Sequence, residues 1–178
     1  MNKFRNLIVL APLAFALHHF EEHIIFNFRE WRLKYFLDNN PRSTEEILVI
    51  LISITLILIF INLVKNNKVS AHLLLCYLMT TQVVNAGFHI FFSIYYQDFS
   101  PGVITAILLY LPINYLIIKS ALSEKLVKNY YQLFIIFILG ILIFSMFELF
   151  GPRVIAITGL LGGIYYYWNY LYEKKRAR

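Results

Sequence analysis

The stretch Leu7–Phe26 reads LIVLAPLAFALHHFEEHIIF. Its first half has no charged side chain. Its second half contains LHHFEEHI (Leu17–Ile24), with three histidines and two glutamates, before apolar residues resume. About 20 mostly apolar residues carry a helix across a bilayer, so the titratable residues lie inside a stretch long enough to be a span. Residues three and four apart share a helix face. Ala11, Ala14, His18, Glu21 and Glu22 fall on one face, and Leu13, Leu17, Phe20 and Ile24 on another. The first face is read as inward and the second as lipid-facing, with His19 and His23 flanking the inward face at i, i+4. An ionised group at mid-bilayer costs roughly 2.5–3.5 kcal/mol on insertion scales, so several together point to a shared polar site. A signal-peptide reading, with Lys3 and Arg5 before the apolar run and Ala14-Phe15-Ala16 as a cleavage site, is set aside because the apolar character continues past Ile24.

The composition agrees with a membrane protein. The chain has 178 residues, 60% hydrophobic, and a positive mean hydropathy, far from a soluble globular domain. Six stretches qualify as spans: Leu7 to Phe26, Ile47 to Val64, Val69 to Tyr95, Gly102 to Ile118, Gln132 to Phe150 and Val154 to Leu171. The fold expected is all-α, a polytopic transmembrane bundle of about six spans in one domain, 1–178. Pro112 should kink the fourth span, and Gly159 and Gly163 suit close helix approach. FNFREWRLKYF, after the first span, puts Phe28, Trp31, Arg32 and Tyr35 near one face and is read as an interfacial amphipathic helix.

The net charge of +6 does not indicate nucleic acid, because Lys and Arg sit in short tracts between apolar runs. With the N-terminus inside, the inner segments hold eleven of the sixteen basic residues and the outer segments five. That excess predicts a multi-pass protein of the cell membrane with both termini cytoplasmic. The basic tail EKKRAR is then an anchor to anionic lipid. The single cysteine, Cys76, excludes an internal disulfide and multi-cysteine metal sites.

Other polar residues fall at the same depth as His18, Glu21 and Glu22. TTQVVNAGFHI places Thr81, Gln82, Asn85 and His89 on one stripe, with Ala86 and Gly87 allowing close packing. In the following loop, Ser100 is read as an N-cap and Pro101 as the first helical residue, with Thr105 one turn on. Glu148, with Arg153 as partner, is placed near the same region.

Three of these elements form a pattern. His18-His19-Phe20-Glu21-Glu22 fits HXXEE, Asn85 to His89 fits NXXXH, and Phe99-Ser100-Pro101-Gly102 fits YSPG with Phe in place of Tyr. In that order, within 7–118, the chain resembles the HXXEE-domain family of small integral membrane proteins. The resemblance implies a membrane protein, with a membrane enzyme the usual suspicion and no established reaction. Phe99 argues against an essential phenol at that position. The last two helices, 132–171, fall outside the matched region.

Histidine and carboxylate at helical spacing suit a divalent cation, zinc first and iron second, and His2Glu is a common catalytic zinc set. His18, Glu22 and His89 are the expected ligands, and Glu21 the general base or a further ligand. Asn85 is expected to orient His89 or to bind a substrate oxyanion, and Ser100 to lie where helix amides attract anions. A divalent cation brings the pKa of its water near 7. The function expected is a membrane enzyme, a metal-dependent hydrolase or transferase, acting on a lipid or other hydrophobic small molecule within the bilayer. Self-association is left open. Two alternatives stand beside it: an acid–base isomerase without metal, and a proton- or metal-coupled transporter. A transporter calls for a polar trail across the membrane, for which only His72, Asn114 and Asn62 are candidates.

Overall fold

The computed structural model describes residues 3–38 and 40–176. These residues form seven helices and no strand: α1 (Lys3–Ile25), α2 (Phe28–Tyr35), α3 (Thr44–Lys65), α4 (Lys68–Tyr95), α5 (Val103–Ser123), α6 (Tyr130–Phe150) and α7 (Arg153–Arg176). Five of them, α1, α3, α4, α5 and α6, are long and apolar enough to cross a membrane. The sixth expected span, α7, is a helix of 24 residues, but phenol hydroxyls and Asn169 in YYYWNYLY dilute its apolar character. Of the tail EKKRAR, Glu173 to Arg176 continue α7, and Ala177 and Arg178 lie outside the described residues.

Local chemistry explains the boundaries. Ser43 and Glu46 form a capping box at the start of α3, satisfying amides that have no partner within the helix. Asn66 ends α3 in the left-handed region (φ 46°), and Asn67 accepts from the Ser70 amide to open α4. Asn27 and Asn129 cap α2 and α6 in the same way.

Three long helices carry one wide turn each, closed by i→i+5 bonding: Glu21–Ile25 in α1, Met79–Val84 in α4 and Ala106–Tyr110 in α5. The Phe26 amide bonds to the Glu21 carbonyl at 3.1 Å. In α5 the wide turn precedes Pro112, whose missing N–H and ring bulk disturb the preceding turn. Such turns are rare and concentrate at functional sites.

α4 lies at the centre, packed by α3, α5, α6 and α7, while α1 sits against α3 and α5. Phe4, Ile8, Leu74, Leu75, Leu78 and Ile117 fill one end of the core. Ala11, Ala14, Ala86 and Ala106 are fully or almost fully buried where α1, α4 and α5 cross. The inward face read for α1 is thus the face the fold buries. Large apolar side chains such as Leu13, Phe60, Phe91 and Leu108 stay exposed around the bundle, a distribution suited to lipid rather than water.

The glycines differ from expectation. A Cβ at Gly87, Gly159 or Gly163 would meet nothing within 4 Å. Close approach occurs instead at Gly140, where a Cβ would lie 3.1 Å from Met79 Cβ and 3.2 Å from the Thr80 amide nitrogen. α6 therefore rests on the wide turn of α4.

Candidate metal centre

The C-terminal end of α1, the second half of α4 and the start of α5 meet at one end of the bundle. His18, Glu21 and Glu22 come from α1, His89 from α4, and all four are buried. Glu22 Oε1 lies 3.4 Å from His18 Nε2 and 3.1 Å from His89 Nε2. All three atoms fall within 4.8 Å of one another. Donor atoms around four-coordinate zinc, bound at about 2.0–2.2 Å, sit about 3.3–3.5 Å apart, close to the two distances to Glu22. The ring nitrogen His89 Nε2 is buried and, despite its nearness to Glu22, makes no hydrogen bond. A buried polar atom without a partner is costly, and here a cation among the three atoms would satisfy it. The donor set therefore fits the divalent metal expected from the sequence.

Each imidazole is held from behind. His18 Nδ1 meets Thr105 Oγ1 at 2.8 Å, and His89 Nδ1 meets Ser100 Oγ at 2.9 Å. Such outer bonds fix ring orientation and present the other nitrogen. Thr105 Oγ1 donates to Glu21, which leaves it as acceptor for His18 Nδ1–H and leaves the Nε2 lone pair to accept from Asn85, beside Glu22. The Tyr110 ring packs on His18 with centroids 4.3 Å apart; no sequence signal singled it out.

Two expected roles are redistributed. Asn85 Nδ2 lies 3.2 Å from Nε2 of His18, so Asn85 faces His18 rather than His89. Ser100 does not cap α5; it sits in the turn before the helix, fully buried, and orients His89. Gly102 takes the N-cap position, at φ 98°, where a Cβ would lie 2.8 Å from His18 Cε1, 2.9 Å from Glu22 Cγ and 3.0 Å from His89 Cε1. Glycine is needed there for both conformation and space, a requirement that the SPG turn signals in sequence.

Glu21 is placed differently from its neighbour. It accepts from the amides of Gly102 (3.1 Å), Ile104 (3.1 Å) and Thr105 (2.6 Å), besides the Thr105 hydroxyl. A carboxylate from α1 thus caps the amino end of α5, where unpaired amides and the helix dipole favour an anion. Both oxygens are committed, and neither points at the His18–Glu22–His89 group.

α2 covers this end. Its Phe28 ring packs on His89 (5.2 Å), Trp31 on Phe88 (6.5 Å) and Tyr35 on Tyr96 (3.8 Å). Trp31 is only 4% exposed. Arg32 pairs with Glu148 of α6 at 2.9 Å. Tyr35 donates to Asp98 at 2.9 Å, and that bond raises the phenol's pKa. The aromatic stripe expected to lie at lipid headgroups is thus packed largely on α4.

A cavity of about 1150 Å³ opens beside the centre. Its floor is α4, from His72 and Cys76 to Asn85. One wall is α3, and α6 and α7 form the other, with Gly159 and Gly163 lining it. At the covered end it reaches His18, His19, Glu22 and His23.

The polar residues farther along the bundle make hydrogen bonds within it, although the buried Asn62 Oδ1 has no partner. Gln82 donates to the Ala11 carbonyl and accepts from Asn114, both within hydrogen-bonding distance (2.9 and 2.8 Å). Asn62 bonds Ser70, and His72 bonds the Leu126 carbonyl. Gln82 thus ties α1 to α5 rather than extending the stripe of Asn85 and His89.

A family model for proteins of unknown function with an HXXEE motif matches residues 9–117. The chain belongs to the HXXEE family. The match spans α1 to α5 and so contains His18, Glu21, Glu22, Asn85, His89, Ser100, Gly102 and Thr105. The two glutamates of the HXXEE motif are not equivalent: Glu21 holds α5, and Glu22 faces the histidines. No curated protein and no solved structure matches this HXXEE chain.

Proposed function

We propose that this protein is an integral membrane enzyme that acts on a lipid or another long hydrophobic molecule at a divalent-cation site formed by His18, Glu22 and His89. One observation carries this reading: a largely apolar cleft, long enough for an acyl-type chain, ends at a buried His2Glu group. Pockets that bind small molecules are mostly apolar with a few convergent polar groups. A bound cation there supplies Lewis-acid polarisation and a hydroxide nucleophile at neutral pH. The chain's own residues do the rest. Ser100 and Thr105 fix the rings, Asn85 offers an amide donor from the cavity floor, and Phe28 and Trp31 keep bulk water from the buried side. Hydrolysis or group transfer at a polar headgroup fits this arrangement, with the chain of the substrate along α3, α4, α6 and α7.

In this reading α7 is a sixth crossing and both termini are cytoplasmic, which follows the eleven-to-five division of basic residues. α2 and the site then lie towards the outer face, with the exposed Leu33 and Leu37 of the α2 region at the headgroups. The second reading, acid–base chemistry without metal, is supported by the contiguous contacts Glu21–Thr105–His18–Glu22–His89–Ser100. The hydrogen bonds that Gln82, Asn114 and Ser70 make within the bundle disfavour transport.

The test is lipid profiling by mass spectrometry of membranes expressing the wild type, Glu22→Gln or His89→Ala. We expect a lipid class whose level changes with the wild type alone and whose change is abolished by a chelator. A change that persists under chelation selects the acid–base reading. Identical profiles in all three membranes overturn the enzyme reading.

A further inference from the structure

Two titratable residues at the site remain without a role: His19 and His23. They lie at i, i+4 at the end of α1, with ring centroids 4.5 Å apart. Neither faces the lipid alone, because both line the cavity together with Glu22. His23 Nε2 lies 3.6 Å from Glu22 Oε2, the oxygen turned away from His18 and His89. His19, Glu22 and His23 place one donor atom each within 4.8 Å of one another, as His18, Glu22 and His89 do. The two groups therefore share one carboxylate, and each approaches a different oxygen of it at His18/His89 and at His23. Glu45, at the start of α3, interacts electrostatically with both His19 and His23, adding negative charge on the side where a second cation would sit.

We infer that the centre is dinuclear: Glu22 bridges two divalent cations, one held through Oε1 with His18 and His89, the other through Oε2 with His19 and His23. This rests on the metal-dependent reading above and extends it. Paired cations in enzymes sit about 3.5–4 Å apart and clamp both the attacking and the leaving oxygen of a displacement, a separation that the two oxygens of one carboxylate can span. The two positions differ in access. His18 and His89 are buried, whereas His23 retains 18% side-chain exposure and fronts the cavity. The second cation is the one a substrate headgroup meets first. The wide turn Glu21–Ile25 carries Glu22 and His23 together, which places them on one locally unwound segment.

The experiment measures metal content. The full chain, purified in detergent and stripped of metal, is given zinc, desalted and assayed by elemental analysis. The wild type should hold two zinc ions per chain, His19→Gln/His23→Gln one, and His18→Gln/His89→Gln fewer than two. One ion in the wild type, unchanged in His19→Gln/His23→Gln, overturns the dinuclear centre and leaves the mononuclear reading standing. No ion in the wild type overturns both. Two ions that survive His19→Gln/His23→Gln place the second ion elsewhere and also overturn the inference. Zinc X-ray absorption on the wild type guards against variants that fail to fold: a zinc–zinc distance of about 3.5–4 Å supports the bridge, and two bound ions without it overturn it.

Discussion

Glu21 and Gly102 meet where the first and fifth helices touch, and each tests a different part of the site. If Glu21 were a general base, Glu21→Gln would fold normally and lose only activity. Its observed partners are three amides and a hydroxyl. An amide in its place turns a donor towards donors, and each buried unsatisfied group costs roughly 1–3 kcal/mol. Glu21→Gln should therefore lower the unfolding temperature in detergent markedly, whereas Glu22→Gln should lower metal content with a smaller loss of stability. Gly102→Ala combines a positive φ, costing about 1–2 kcal/mol, with contacts of 2.8–3.0 Å to His18, Glu22 and His89. It should reduce both thermal stability and zinc content, read by calorimetry and elemental analysis. His18, Glu22 and His89 were legible because helical spacing fixes face and depth. The partner exchange between Asn85 and Ser100, and the packing of Tyr110, were not, because they depend on helix rotation and loop geometry that spacing does not specify.

Among elements, α2 shows how one pattern serves two environments. A stripe of Phe28, Trp31 and Tyr35 suits a headgroup layer as well as a protein face, so periodicity gave the helix and not its partner. The packing gives a measurable difference. Trp31→Ala should cost about 3–5 kcal/mol, as for a core tryptophan, seen as a fall in unfolding temperature; an indole lying only in headgroups would lose far less. The wide turns were also hidden, since an i→i+5 segment of six residues or fewer barely disturbs a 3.6-residue pattern. They matter because they lie on the three helices that supply or support the site residues. The helices themselves were legible from apolar length, within a few residues at most ends. α7 fell short of a clear span because tyrosine hydroxyls weaken the very signal used to find it.

On the scale of the whole molecule, the segment matched to the HXXEE family, 9–117, supplies the polar centre, and α6 and α7 supply the far wall of the cleft. In the proposed function, the matched segment thus supplies the site together with the floor and one wall of the cleft, and α6 and α7 close its other side. Gly159 and Gly163 face open space, so Gly159→Leu/Gly163→Leu should fold, since Gly to Leu also favours helix. The added side chains should narrow the cleft and reduce turnover of long-chain lipid more than of short-chain analogues, measured by the same lipid profiling. The Glu21 cap has a consequence for synthesis. Its acceptors' partners begin 81 residues downstream. At about 5–20 residues per second, the ribosome makes them roughly 4–16 s after Glu21 itself. During that interval α1 carries a carboxylate whose final neighbours do not yet exist. In the membrane reading proposed above, the newborn helix keeps this carboxylate hydrated or protonated until α5 arrives to supply its donors.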